Sequence, residues 1–172
     1  MVGREDSGVW ITLKEEVHAA PGDVAACIAN AVGFTRWIAV GCEIAESSDS
    51  DVGATQPTLA IAWDREWEHV TRVRILEHDT DGLADGRARI RFEWFPSPID
   101  DTPVPIEITV APLAEQGDGT GGARVIVRHG PFAEDTDNLL FMADSAESWR
   151  WYLCNLRSVL EAKHDMRAIR PL

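Results

Sequence analysis

The chain has 172 residues, 45% of them hydrophobic and 26% charged, which fits one globular core and excludes global disorder. Its 29 acidic against 16 basic residues leave a formal net charge of −13, which opposes binding to nucleic acid or to an anionic membrane through bulk charge. Three widely spaced cysteines (Cys27, Cys42, Cys154), an acidic "MVGREDSGVW" start and no apolar run near the roughly 20 residues that span a bilayer make a reduced, soluble, cytoplasmic protein the expectation.

In chain order, the first predicted strand is "VWITLKEEVHA", where Val9, Ile11 and Leu13 alternate with Trp10, Thr12 and Lys14. Pro21 opens a helix over "PGDVAACIANAV": proline suits a first turn, and Asp23 lies near the positive end of the helix dipole. Val24, Cys27, Ile28 and Val32 recur there at helical spacing. Gly33 should end that helix, and "FTRWIA" reads as a second short one carrying Phe34 and Trp37. Strands follow. "CEIAES" and "PTLAIAW" flank a loop of Ser, Asp and Gly, "HVTRVRILEH" comes next, and "DTDGLADG" is turn chemistry. "RARIRFEWF" then alternates strictly, with Ala88, Ile90, Phe92 and Trp94 on a dry face and Arg87, Arg89, Arg91 and Glu93 on a wet one. "PSPIDDTP" breaks it. "VPIEITVAPL" and "ARVIVRHGPF" are the last two strands, joined by the hairpin turn "AEQGDGTGG".

Asp144 followed by Glu147 reads as a capping-box start for a C-terminal helix. Trp149, Tyr152, Leu153, Leu156, Val159 and Leu160 fall on one of its faces. Trp151 lies about 200° from Trp149 at 3.6 residues per turn, so it should face solvent, a loop or a partner. The order is β-α-α-β6-α, with about seven strands. Six consecutive strands joined by tight turns imply an antiparallel meander, and the C-terminal helix is the one long amphipathic element that can cover its dry face. An α+β fold with a curved sheet gripping one helix follows.

The sequence resembles the helix-grip fold of the START and birch-pollen-allergen-like (SRPBCC) superfamily over roughly Val9 to Arg167 of a single 1–172 domain. Within it, "VHAAPGDVAACIAN" running into "FTRWIA", the paired strands of "VPIEITVAPLAEQGDGTGGARVIVRHGPF", and "SWRWYLCNLRSVLEAKHDMR" resemble the family named after the activator of the heat-shock-protein-90 ATPase. Ala25 stands where that family usually has an aromatic residue. The resemblance implies a hydrophobic cavity between the sheet and the terminal helix. It does not imply one activity, because members include chaperone regulators, lipid carriers and polyketide cyclases; function has to be argued from the site.

No nucleophile elbow, phosphate loop or metal-ligand spacing is present in the sequence, and neither a cofactor nor a metal is expected. Candidate cavity-lining residues are Phe92, Trp94, Ile108, Val127, His129, Tyr152 and Leu156. His129 shares a side with Val125 and Val127, so an inward-facing strand would bury a titratable ring. Tyr152 is the only tyrosine and carries a polar tip. Asp64, Glu66 and Glu68 read as a solvated turn, and Arg72, Arg74, Arg87, Arg89 and Arg91 as a stripe paired across strands with Glu. The expected function is binding of a small hydrophobic or aromatic molecule. The alternatives are a protein-interaction module with a partner such as a chaperone, or a cyclase-like enzyme using His129, Tyr152, Arg150 or Asn155.

Overall fold

The computed structural model describes residues 2–5, 8–45, 58–94, 104–113 and 121–168. Eight strands form one sheet: β1 (Val2–Glu5), β2 (Gly8–Val17), β3 (Gly41–Ala45), β4 (Thr58–Ala62), β5 (Val70–Asp79), β6 (Ala88–Trp94), β7 (Val104–Pro112) and β8 (Ala123–Phe132). Their order across the sheet is β1-β2-β8-β7-β6-β5-β4-β3, and every neighbouring pair is antiparallel. Two short helices, α1 (Pro21–Ala26) and α2 (Ala31–Thr35), follow β2, and a long helix α3 (Thr136–Glu161) follows β8. The six strands after the two helices are those the alternation predicts. The short β1, hairpinned onto β2, is additional.

Three local expectations are corrected. First, α3 begins eight residues before Asp144. Asp135 caps it by accepting from the Asn138 N–H at 2.9 Å, satisfying one of the orphan donors of the first turn. The two turns before Asp144 escaped notice because Leu139 and Leu140 point outward there, blurring the amphipathic pattern. Second, Gly33 lies inside α2 instead of ending α1. The chain turns over residues 27–30, and the Asn30 side chain caps α2 by accepting from the Gly33 N–H at 2.8 Å. A Cβ at Gly33 would stand 2.3 Å from the Ala26 carbonyl oxygen, so glycine is what lets the two helices touch. Val32, on this new helix, is 73% exposed.

The third correction bears on the site. Alternation along β8 turns Val125, Val127 and His129 inward, and would continue to Pro131. Instead the pairing with β2 runs Ile11 opposite His129 and then Val9 opposite Phe132, so Gly130 and Pro131 together face Trp10. This bulge reverses the parity of the strand. Phe132 therefore turns inward beside His129, their ring centroids 4.8 Å apart. Gly130 has φ +143°, and a Cβ there would approach the Val9 oxygen to 2.9 Å, so the bulge requires glycine.

The dry face of the sheet and the inward face of α3 meet as expected. Trp149, Leu153, Leu156 and Leu160 are buried, each contributing roughly 1.5–3 kcal/mol. Trp151 is half-buried with its ring edge-on to Tyr152. On the outer face, Arg74 pairs with Glu93 at 3.1 Å, and Arg89 with Glu77 and Glu107 at 3.0 and 2.7 Å. Two of the five arginines of the stripe, Arg74 and Arg89, thus make ordinary cross-strand pairs with Glu. The 114–120 turn and the 95–103 break lie outside the described residues. No helix among the described residues is long and apolar enough to cross a membrane.

Candidate functional site

At one end of the interior the packing is solid. Phe34 and Trp37 of the α2 region fill the space above β6, stacking on each other and setting Phe34 edge-on to Phe92. Phe92, Ile108, Val127 and Leu156, four of the residues expected to line a cavity, are fully buried here in continuous core. For Phe92, which pairs with Ile106 at the cavity's own level, the cause is the covering Phe34 ring; for the β7 and β8 residues it is their level along the strands. Ile108 pairs with Val127, one inward step closer to α1 and α2 than the pair Ile106–His129.

At the Ile106–His129 level the interior opens into a cavity of about 170 Å³ between β6, β7, β8 and α3. Of the expected residues, Trp94, His129 and Tyr152 line it. Sequence reasoning missed Trp63, Ile106, Phe141, Asp144, Ser145 and Ser148 and read Trp149 as scaffold; these seven complete the wall. Trp63 stacks on Tyr152 with centroids 6.0 Å apart and leans on Trp94 at 5.9 Å. Its indole N–H donates to the Thr71 hydroxyl at 2.8 Å, which fixes the ring over the opening. Asp64 beside it belongs to the turn, accepting from the Glu68 and His69 N–H groups.

A sequence signal for the missed α3 residues exists. Phe141, Ser145, Ser148 and Tyr152 recur at i, i+4, i+7 and i+11, one helical face, visible only once the helix is extended back to Thr136. Two serines on that inward edge, between Phe141 and Tyr152, are too small to fill the space their neighbours frame. The hollow is written into the helix.

The electrostatics centre on His129. Its ring is 2% exposed and wedged edge-on among Phe132, Phe141 and Trp149. Burial lowers its pKa to about 3, because an imidazolium would lose hydration without gaining a counter-charge. The Trp149 indole N–H donates to His129 Nδ1 at 3.2 Å. An indole nitrogen can only donate, so Nδ1 is the acceptor and the ring proton sits on Nε2. That Nε2 is buried with no hydrogen-bond partner among the described residues. Tyr152 is likewise neutral: burial pushes its phenol up to about 12. Asp144 and Ser148 are exposed and form the outer rim.

The other polar candidates are committed elsewhere. Asn155 is fully buried; its Nδ2 donates to the Trp37 carbonyl at 2.8 Å and its Oδ1 accepts from the Met166 N–H at 2.7 Å. Arg150 reaches toward Glu15 at 3.7 Å, and Arg157 pairs with the same carboxylate at 2.5 Å. Burial raises the thiols of Cys27 and Cys42, the latter to about 12, the opposite of an activated nucleophile. Among the described residues no cluster of His, Cys, Asp or Glu is arranged to hold a metal.

Neither a family model nor a curated protein sequence matches the chain. Solved structures match over most of its length. The Aha1 dimer from Colwellia psychrerythraea is 16% identical, covering 88% of this chain and 96% of its own at a TM-score of 0.58. Protein MLL2253 from Mesorhizobium loti is 13% identical, covering 90% and 98% with TM-score 0.62. CalU16 from Micromonospora echinospora is 14% identical, covering 95% and 85% with TM-score 0.61. The chain shares their helix-grip fold. At such identities the likeness is one of architecture, and the cavity has to be read from its own residues.

Proposed function

We propose that the protein binds a small hydrophobic or aromatic molecule in the cavity between the sheet and α3. One observation carries the reading: a hollow walled by Trp63, Trp94, Phe141, Trp149 and Tyr152 holds a buried histidine nitrogen without a partner. Binding sites are mostly apolar with few, placed polar groups, whereas a purely structural core closes over its polar atoms. Size narrows the ligand. A dry apolar cavity of about 150 Å³ admits benzene, and drug-sized ligands occupy about 300–1,000 Å³. A cavity of about 170 Å³ therefore fits one ring with a short substituent and not an enclosed lipid or polyketide chain. A chaperone-docking role would draw on the outer arginines, and two of them, Arg74 and Arg89, are already engaged with Glu93 and with Glu77 and Glu107.

Native mass spectrometry and tryptophan fluorescence with a panel of single-ring aromatics and fatty acids test the reading. Single rings should bind with dissociation constants on the order of 10–1,000 µM and quench the cavity tryptophans. Ser145→Leu, which fills the hollow from α3, should abolish both signals while leaving the protein folded. A panel that neither binds nor quenches would overturn the proposal.

A further inference from the structure

The chemistry of the ligand follows from the orientation of one proton, given that the cavity is a binding site at all. Trp149 donates to His129 Nδ1, so the neutral ring presents an N–H from Nε2. Asn and Gln amides or a serine hydroxyl could have matched that donor, yet no described group does. The nitrogen belongs to a ring that borders the cavity, and Phe132, Phe141 and Trp149 pack against that ring with carbon and an already committed indole N–H. A donor so placed favours a ligand acceptor and gains nothing from a ligand donor.

Charge at the mouth excludes the strongest class of acceptor. A carboxylate would enter past Asp144 on the rim, in a protein of net charge −13, and would meet an uncharged imidazole at the bottom. No cationic side chain lines the described wall to offset its charge. The aromatic walls meanwhile favour a flat ring, and the volume permits one.

We infer that the cavity recognises an uncharged single-ring aromatic molecule bearing a carbonyl-type acceptor next to the ring, docked with that oxygen on His129 Nε2–H and its ring between Trp94, Trp149 and Tyr152. The hydroxyls of Ser145, Ser148 and Tyr152, each able to donate or accept, face the outward end of such a ligand and tolerate a second polar substituent. Sites built to hydrogen-bond a ligand discriminate strongly against analogues that lack the matching group.

The test uses two molecules of nearly the same shape, acetophenone and α-methylstyrene, which differ by C=O against C=CH₂, with benzoate as the anionic arm. Dissociation constants are measured by calorimetry on wild type and on His129→Phe. The ratio of the two neutral affinities should favour acetophenone about tenfold more in wild type than in His129→Phe, and benzoate should bind more weakly than either in wild type. The same ratio in both proteins would overturn the inference and leave the N–H resting on the Phe132 ring, while the binding site itself would stand. Absence of binding by both neutral probes would overturn the site and the inference together. The His129 Nε2–H resonance of the wild type provides a second readout that does not depend on the folding of His129→Phe. It should move downfield with acetophenone and stay in place with α-methylstyrene; movement with both or with neither contradicts the assignment.

Discussion

Two buried polar side chains sit in the two ends of this interior, and they are opposites. Asn155, on α3 in the packed end, has both ends of its amide matched, to Trp37 and to Met166. His129, on β8 in the hollow end, has one nitrogen matched by Trp149 and the other by nothing described. The packed end surrounds its polar group with Phe34, Trp37, Leu153 and Leu156 at full burial; the open end surrounds its own with the Phe132, Phe141 and Trp149 rings beside the cavity. A satisfied polar group ties elements together, and here Asn155 bolts α3 to the α2 region and to the Met166–Ala168 turn. An unsatisfied one costs stability on its own account, and here it stands on a residue that lines the cavity.

Substitutions should separate the two ends. The largest loss is expected from Phe34→Ala, about 3–5 kcal/mol by urea unfolding, with ligand affinity unchanged in the folded fraction; a loss of affinity equal to the loss of stability would erase the distinction between the ends. Asn155→Leu comes next. It leaves the Trp37 carbonyl and the Met166 N–H unmatched and should cost about 2–4 kcal/mol, again without altering the preference for one ligand over another.

His129→Phe should change stability by no more than about 1 kcal/mol at pH 7, since it removes one unmatched donor and creates another on Trp149. Its effect is in the pH dependence. The folded pKa, about 3, lies below the ordinary histidine value of about 6.5, so between these limits the unfolded chain binds the proton that the folded one refuses. The stabilisation is complete above pH of about 6.5 and declines as pH falls toward about 3, by about 1.4 kcal/mol per unit. Asp64, Asp135 and Asp165, held below the usual carboxylate range by hydrogen bonds, add acid-side losses of their own. The histidine component is therefore the difference between wild type and His129→Phe, measured from pH 7 to 4.5. Parallel curves would mean that the ring is hydrated in solution. The smallest effect is expected from Tyr152→Phe, within about 0.5 kcal/mol, because no hydrogen bond to that hydroxyl is present among the described residues; any consequence should appear only in the affinity for ligands with a second polar substituent.

The architecture was legible because it rests on periodicity. Strict alternation in β6 and β7, and the Trp149–Leu153–Leu156–Leu160 stripe of α3, encode a sheet face and the helix that covers it, and both formed as read. The cavity was only half legible. Trp94, His129 and Tyr152 could be placed inward by pattern, but which inward residues border empty space depends on what packs over them: Phe34 covers Phe92 at the cavity's own level, and Ile108, Val127 and Leu156 ended in continuous core. The bulge at Gly130–Pro131 that brings Phe132 against His129 breaks the very periodicity used to find strands. Trp63 reaches the cavity from a turn, where side-chain direction follows no period. Phe141 was hidden by a helix start placed too late, although Asp135 and Asn138 carried the capping chemistry in plain sight, and without it the Ser145–Ser148–Tyr152 face was passed over for the apolar stripe through Trp149.

The central claim is that His129 is a neutral, dry hydrogen-bond donor on a ring that borders an occupiable hollow. The nitrogen NMR spectrum of the His129 imidazole tests it most directly, recorded from pH 7 down to 4.5 with and without acetophenone. The account predicts a single Nε2–H tautomer that does not titrate over this range and whose Nε2 proton shifts when the ketone is added. An imidazole that titrates near its ordinary midpoint, or that carries its proton on Nδ1, would contradict it.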